Sequence, residues 1–403
     1  MKYSKDEVME YINEEDVKFI RLSFCDVFGK QKNISIMPDE LSRAFEYGIA
    51  FDASAIRGFG DEVHSDLFLH PDPSTLVPLP WRPEHGRVVQ MFSDIRYPDG
   101  SAFECDTRNI LKRAVLESEK AGYEFSFGAE LEFYLFELDE EGNPTKKPHD
   151  NAGYMDIAPE DRGENVRREI CLTLEKMGIR PESSHHEEGP GQNEIDFRYS
   201  DPLAAADNAM TFQRVVKAVA HRNGLFADFS PKPLHDRPGN GFHINMSVKQ
   251  NGGEDLLYPM IAGVLQHIEG MTLFLNPETD SYLRLGNSKA PKYISWSGEN
   301  RSQLVRIPAA VGEYIRAELR SPDPCANPYL ALALMIHAGL DGITRKIDIQ
   351  DPVDINLFTA GAELPGSIKK LPGSHAEACE AAVRSEFIKK HIPGKVLSIY
   401  MQK

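Results

Sequence analysis

The chain has 403 residues, 41% of them hydrophobic and 27% charged, enough for a large core and more than one domain. A formal net charge of −17 argues against nucleic acid and anionic membranes as partners. No apolar run approaches the ~18 residues of a membrane span, the first residues lack a signal peptide's apolar stretch, and five scattered cysteines without CxxC spacing point to free thiols in a reducing cytoplasm.

Ser4 before Asp6-Glu7 predicts a short capped helix over residues 4–15. Residues 17–25 alternate as a strand, Asp26-Val-Phe-Gly29 turns, and a second strand runs to Met37. Residues 38–47 read as helical. Phe51-Asp-Ala-Ser-Ala-Ile-Arg-Gly-Phe-Gly60 reads as a loop with one acid, Asp52. Strands follow near residues 75–78 and 88–95. Tyr97-Pro98-Asp99-Gly100 is a turn that divides a small α+β unit, residues 1–98, from a larger one, residues 99–403.

In the larger unit Asp106 caps a helix running to about Lys120, and residues 164–178 and 206–221 are helical. Residues 137–150 read as a loop and 256–274 as a helix. Residues 275–308, rich in Gly, Asn and Ser, read as a loop region over the substrate, and residues 328–343 as a helix.

Four stretches alternate with period 2 and carry unusual polar faces. Glu194, Asp196 and Arg198 oppose Ile195, Phe197 and Tyr199. Gly128, Glu130 and Glu132 oppose Phe127, Leu131, Phe133 and Leu135. His243, Asn245 and Ser247 alternate with Phe242, Ile244 and Met246, and Arg316, Glu318 and Arg320 with Ile315, Ala317 and Leu319. One wet sheet face is common. Four that hold Glu, His and Arg and no Lys are not. Glu-rich sets with one His suit hard cations, Mg²⁺ or Mn²⁺, and interleaved arginines suit phosphate. Together they imply phosphoryl transfer from a nucleotide.

Five motifs in order, Gly128-Ala-Glu-Leu-Glu-Phe133, His185-His-Glu187 with Gly191-Gln-Asn-Glu194, Lys232-Pro with Gly241-Phe-His243, Asn300-Arg-Ser302 with Arg306-Ile-Pro308, and Arg316-Ala-Glu-Leu-Arg-Ser-Pro-Asp-Pro324, resemble the type I glutamine synthetase family. The resemblance implies an α+β fold: a small β-grasp N-terminal domain, and a catalytic domain built on a curved antiparallel sheet flanked by helices. It implies an ATP-dependent ligase making glutamine from glutamate and ammonia through γ-glutamyl phosphate. It also implies a homo-oligomeric ring, hexamer or dodecamer, with sites between subunits and two or more divalent ions per site.

Position by position, the resemblance gives Glu132, Glu187 and Glu194 to one ion and Glu130, His243 and Glu318 to another. Arg284 and Arg320 become the carboxylate clamp, and Arg301, Arg306 and Arg316 the phosphate-side arginines. Ser247 contacts nucleotide, Gly239 lies against the amino acid, and Asp52 helps deprotonate ammonium. His185 and His186 receive no role.

Four departures from the family pattern stand out. Lys289 replaces a flap glutamate and is expected to disfavour ammonium. Pro238 before Gly239 removes a side chain near glutamate. Phe358 stands where some members carry a modifiable tyrosine. The chain ends at Lys403, which suggests a single ring. An organic amine or polyamine in place of ammonia, and a non-catalytic sensor or structural role, are the alternatives; the full set of six metal ligands speaks against the second.

Overall fold

The computed structural model describes residues 3–60, 63–82, 85–250, 256–287, 289–360, 366 and 368–403, with the side chain of residue 313 set aside; Ser288 of the flap loop falls outside these. Ser4 caps the first helix, α1 (Lys5–Glu14): its hydroxyl accepts the Glu7 amide while the Glu7 carboxylate accepts the Ser4 amide. The N-terminal sheet comprises β1 (Val17–Cys25), β2 (Gln31–Ile36), β3 (Ile49–Asp52), β4 (Asp66–Pro71), β5 (Val77–Pro78) and β6 (Arg87–Arg96), with α2 (Leu41–Tyr47) between β2 and β3. Its order is β2-β1-β6-β4-β3, with β5 also on β6. The β1/β6 pair is parallel and the other pairs are antiparallel.

The second sheet comprises β7 (Tyr123–Leu138), β8 (Pro144–Pro148), β9 (Pro181–His186), β10 (Gln192–Ser200), β11 (Leu225–Asp228), β12 (Phe242–Gln250), β13 (Trp296–Gly298), β14 (Val305–Ile307) and β15 (Ala317–Leu319). Its order is β13-β14-β15-β12-β7-β10-β9, and β8 and β11 also pair with β7. Every pair is antiparallel except β13/β14. The helices are α3 (Thr107–Lys120), α4 (Glu164–Lys176), α5 (Pro202–Arg222), α6 (Leu257–Leu275), α7 (Ser281–Arg284), α8 (Pro328–Arg345), α9 (His375–Arg384), α10 (Glu386–His391) and α11 (Gly394–Met401). No helix among the described residues is long and apolar enough to cross a membrane, and all five cysteines are free thiols.

The apolar faces of the alternating strands form the core: Phe127, Leu131, Phe133, Ile195, Phe242 and Ile244 are all buried. Where α6 crosses α8, a Cβ on Gly263 would lie 2.0 Å from the Ala338 carbonyl oxygen, so only glycine allows this approach. Arg108 ties the N-terminal sheet to α5. It grips Asp207 of α5 with two hydrogen bonds of 3.0 and 2.9 Å and reaches Asp94 (3.0 Å) and Asp72 (2.9 Å) of the N-terminal unit.

Several short elements depart from the sequence expectation. The 137–150 loop contains β8, the 275–308 region contains α7, β13 and β14, and β4 and the three C-terminal helices were not foreseen.

Candidate active site

Strand β7 is the spine of the site. Its pleat turns Gly128, Glu130 and Glu132 to one side, and the register of its neighbours completes three rows. Glu132 lies opposite Glu194 on β10, which lies opposite His185 on β9. Glu130 lies between His243 on β12 and Asp196 on β10. Gly128 lies opposite Asn245 on β12, then Glu318 on β15, then Arg306 on β14. A Cβ on Gly128 would stand 3.1 Å from the Tyr199 ring, so glycine leaves room for that ring.

Ligand atoms of Glu130, Glu194 and His243 lie within 4.8 Å of one another, and so do those of His185, Glu187 and Glu194. Two overlapping cation positions result, with Glu194 common to both. Glu132 accepts the Gly241 amide (2.7 Å) and the Gln192 side chain (3.2 Å). Glu318, fully buried, is held between Arg306 (2.7 Å) and Arg320, with His243 Nδ1 3.8 Å away. All six predicted ligands therefore share one face.

Burial raises the Glu194 carboxyl well above the ordinary range, and Asp196, Glu132, Glu130 and Glu187 add to it. Burial and then Glu132 push Glu187 to about 8; burial and then Glu130 push Asp196 to about 7. Burial and then Arg320 pull His243 down to about 3, which keeps its imidazole a neutral lone-pair donor. Such crowding is what a divalent cation relieves. Asp196 Oδ1 and the Nε atoms of Arg306 and Arg320 are buried with no partner. An oxygen-rich donor set with one imidazole fits hard divalent ions, and unpaired guanidinium N–H groups fit an anion beside them.

Two residues without a role in the sequence belong to this face. His185 Nε2 lies 3.2 Å from Glu194 and its Nδ1 3.6 Å from Glu187. Asp196 sits one row from Glu194. The alternation of β10 showed which way Asp196 points, but nothing in the sequence gives the β9/β10 register that brings in His185. His186 points the other way. It is fully buried, with Nε2 2.9 Å from Asp150 and Nδ1 2.6 Å from the Glu187 carbonyl oxygen, and so braces the backbone that carries Glu187.

Arg284, buried, donates to the carbonyls of Ser321 (2.7 Å) and Arg320 (3.2 Å). Gly239 packs on its stem; a Cβ there would meet Pro231 O at 2.4 Å and Arg284 Cγ at 2.9 Å. Arg316 donates to Asn245 (2.9 Å), and Ser247 is half-buried on β12. Arg301 is exposed with no side-chain partner among the described residues. Asp52 is also exposed, its carboxylate accepting only from Ser54, at 2.9 and 2.6 Å. It is not brought to the metal face of its own chain.

Lys289 adopts a left-handed backbone (φ 68°), pairs with Glu188, and lies 5.6 Å above the Tyr154 ring. Tyr154 in turn packs edge-on against His185. The flap lysine therefore has a carboxylate partner that the sequence did not reveal, and its charge is partly cancelled.

Family models described as "Glutamine synthetase, beta-Grasp domain" and "Glutamine synthetase, catalytic domain" match residues 16–98 and 104–403. A glutamine synthetase of Methanosarcina mazei is 45% identical over 99% of this chain and 92% of its own, and one of Clostridium saccharobutylicum is 43% identical over 99% and 94%. The chain belongs to the glutamine synthetase family, carboxylate–amine ligases that use ATP and divalent metal. Among solved structures, "GmaS/ADP complex-Conformation 1" matches with a TM-score of 0.88 at 29% identity, covering 98% of this chain and 94% of that one. A Plasmodium falciparum glutamine synthetase matches with a TM-score of 0.87 at 23% identity, covering 100% and 95%, and so shares the fold.

Proposed function

We propose that the protein joins glutamate and ammonia at the expense of ATP, and that the three-row face carries the reaction. The supporting observation is the gathering of six acidic side chains, His185 and His243 against partly unpaired arginines. A glutamate γ-carboxylate oxygen attacks the terminal phosphorus of ATP and ADP leaves. Ammonia nitrogen then attacks the acyl carbon, and phosphate leaves to give glutamine. Glu130, Glu132, Glu187, Glu194, His243 and Glu318 hold two Mg²⁺ or Mn²⁺ ions, with His185 and Asp196 beside them. Bound there, the cations supply charge neutralisation between carboxylate and polyphosphate.

Arg320 and Arg284 orient the glutamate carboxylates, with Gly239 giving close backbone approach. Arg301, Arg306 and Arg316 neutralise the phosphates, and Ser247 contacts nucleotide. Asp52 accepts the ammonium proton from a neighbouring subunit, within a ring of these chains in a reducing cytoplasm. We assign residues 1–98 to the unit that carries Asp52 and 99–403 to the catalytic unit. Met155 and Ile157 beside His185, 57% and 75% exposed, leave apolar surface bare near the site, as a shared interface requires.

Phosphate release with ATP, Mg²⁺ and glutamate tests this reading. Release that depends on ammonium, with glutamine as product, is expected. Release only with an organic amine would reassign the second substrate.

A further inference from the structure

Three side chains on three helices converge, and none belongs to the rows of the metal face. Glu117 stands in the last turn of α3, His337 in the middle of α8 and His391 at the end of α10. One ligand atom from each lies within 4.8 Å of the others. Glu117 Oε2 and His337 Nδ1 are 3.6 Å apart, and the two imidazoles stack with centroids 3.8 Å apart. Two ligands of a tetrahedral zinc ion, each at about 2.1 Å, stand roughly 3.4 Å apart. The spacing is close to what one ion needs. Glu117 is exposed and free to close in, and His391, half-buried at a helix end, can turn its ring out of the stack.

The pair is not held as core histidines usually are. Their neighbour His267 shows the ordinary arrangement, with Nε2 2.8 Å from Asp341. His337 and His391 make no hydrogen bond to a described residue, and Glu117 stands just beyond that reach. Burial is the chief cause that keeps both rings neutral at pH 7, so each offers a lone pair. Arg113 and Lys390 oppose a cation here while Glu117 and Asp341 favour one, so the imidazoles set the chemistry. Two imidazoles and one carboxylate suit Zn²⁺ better than the hard ions of the oxygen-rich metal face. By contrast, Asp150, Asp161 and His186 also come together, but Arg167 and the Gly191 amide already engage those acids.

We propose that Glu117, His337 and His391 bind one Zn²⁺ ion, with water as a fourth ligand, and that the ion fastens the C-terminal helices to α3 and α8. The consequence reaches the N-terminal unit. Beyond α10, Tyr400 holds the Val27 carbonyl and the Gln402 carbonyl holds Arg57, in the loop that carries Asp52.

Anomalous scattering on both sides of the zinc edge, from crystals of the intact assembly soaked in Zn²⁺, locates the ion directly. A peak bounded by these three side chains is expected, apart from any at the metal face. In solution, the Glu194→Gln protein, whose metal face is weakened, should take up one Zn²⁺ per chain in competition with a chromophoric chelator and should melt higher with it. Adding His391→Asn or Glu117→Gln should each weaken that uptake by at least about tenfold, since a direct ligand matters no less than an outer-shell partner. Glu117→Gln changes only an exposed side chain, so a loss there is not a folding defect. Bound Zn²⁺ should also slow amide exchange over residues 386–403. The proposal is overturned if no peak lies among the three side chains, if both variants take up Zn²⁺ as before, or if exchange over 386–403 is unchanged with the ion bound.

Discussion

Replacing Glu194 by Gln keeps the shape of the side chain and removes its charge from the centre of both cation positions. Its ligand atoms lie within 4.8 Å of those of Glu130 and Glu187. Unit charges at that separation repel by about 3.5 kcal/mol at an effective dielectric of ~20. Glu194 meets this by holding its proton, so the residual penalty without cations is roughly 1–2 kcal/mol. In chelator the variant should melt about 1–4 °C above wild type. Saturating Mn²⁺ reverses the order: at a hundredfold excess over Kd, wild type gains about 2.7 kcal/mol. The variant gains much less, and its turnover falls to background.

The pH dependence has a definite sign. Glu194, Glu187 and Asp196 all have folded values raised above their unfolded ones. The folded protein in chelator therefore keeps protons that the unfolded chain has released, and their contribution to stability falls as pH rises from about 4 to about 8. The wild-type-minus-variant difference isolates the Glu194 share, and Mn²⁺ flattens it. Scanning fluorimetry across that range, with and without Mn²⁺, reads all of this. A variant that melts lower in chelator, or gains as much from Mn²⁺ as wild type, would refute the shared-ligand geometry.

Lys289→Met removes the pair to Glu188, and KM for glutamate should rise several-fold with kcat little changed; an unaltered KM would mean the pair does not hold the flap. His337 and His391, stacked at 3.8 Å, are pulled down to about 3 and about 4, chiefly by burial, with Glu117, His267, Lys390 and Arg113 around them. Their stabilisation is complete above pH 6.5 and lost as pH falls toward 4, so His391→Asn should flatten that acid limb in denaturant titrations. Gly263→Ala forces a methyl onto the Ala338 carbonyl, and a loss of about 3 kcal/mol or outright failure to fold is expected; a neutral result would contradict the α6/α8 crossing. Asp52→Ala and Arg301→Ala, each nearly inactive, should regain roughly a quarter of sites when dissociated, mixed and reassembled as heterologous rings. No recovery after verified co-assembly would place the site within one chain.

What the sequence shows of this site is the direction of each side chain, because alternation sorts a strand's residues onto two faces without reference to neighbours. Glu130, Glu132, Glu194, Asp196, His243 and Glu318 were legible in that way. Register is a different quantity. It depends on where the 187–191 turn closes and how β10 seats on β7, so the pairing of His185 with Glu194 had no local signal. The brief elements were hidden for another reason. Strand β8 reads Pro-Thr-Lys-Lys-Pro, too short and polar to alternate, and α9 buries only Ala378 and Ala382, which leaves little periodicity to detect. The Arg108 junction was hidden too, since its three acids lie at positions 72, 94 and 207.

That junction bears on the proposal that a neighbouring chain completes the site. For Asp52 to reach the metal face of its own chain, the N-terminal unit would have to swing freely. Arg108 and Lys112 oppose the swing: both stand on α3 and hold Asp94 and Asp72 of the N-terminal unit, and separating them leaves those two part-buried acids without their cations while Arg108 keeps Asp207. Asn327 adds a buried hydrogen bond to the Val27 carbonyl (3.1 Å), and Tyr400 another (2.9 Å). Arg57, five residues past Asp52, is tied to the Gln402 carbonyl at 2.7 Å. The loop that carries Asp52 is thus fastened to its own C-terminal helix, with the carboxylate facing solvent. Arg301 is bare in the same way. The shared site proposed above accounts for both groups being held outward by a stiff junction: each would meet its counterpart on a second copy, and a face-to-back contact of that kind repeats until a ring closes.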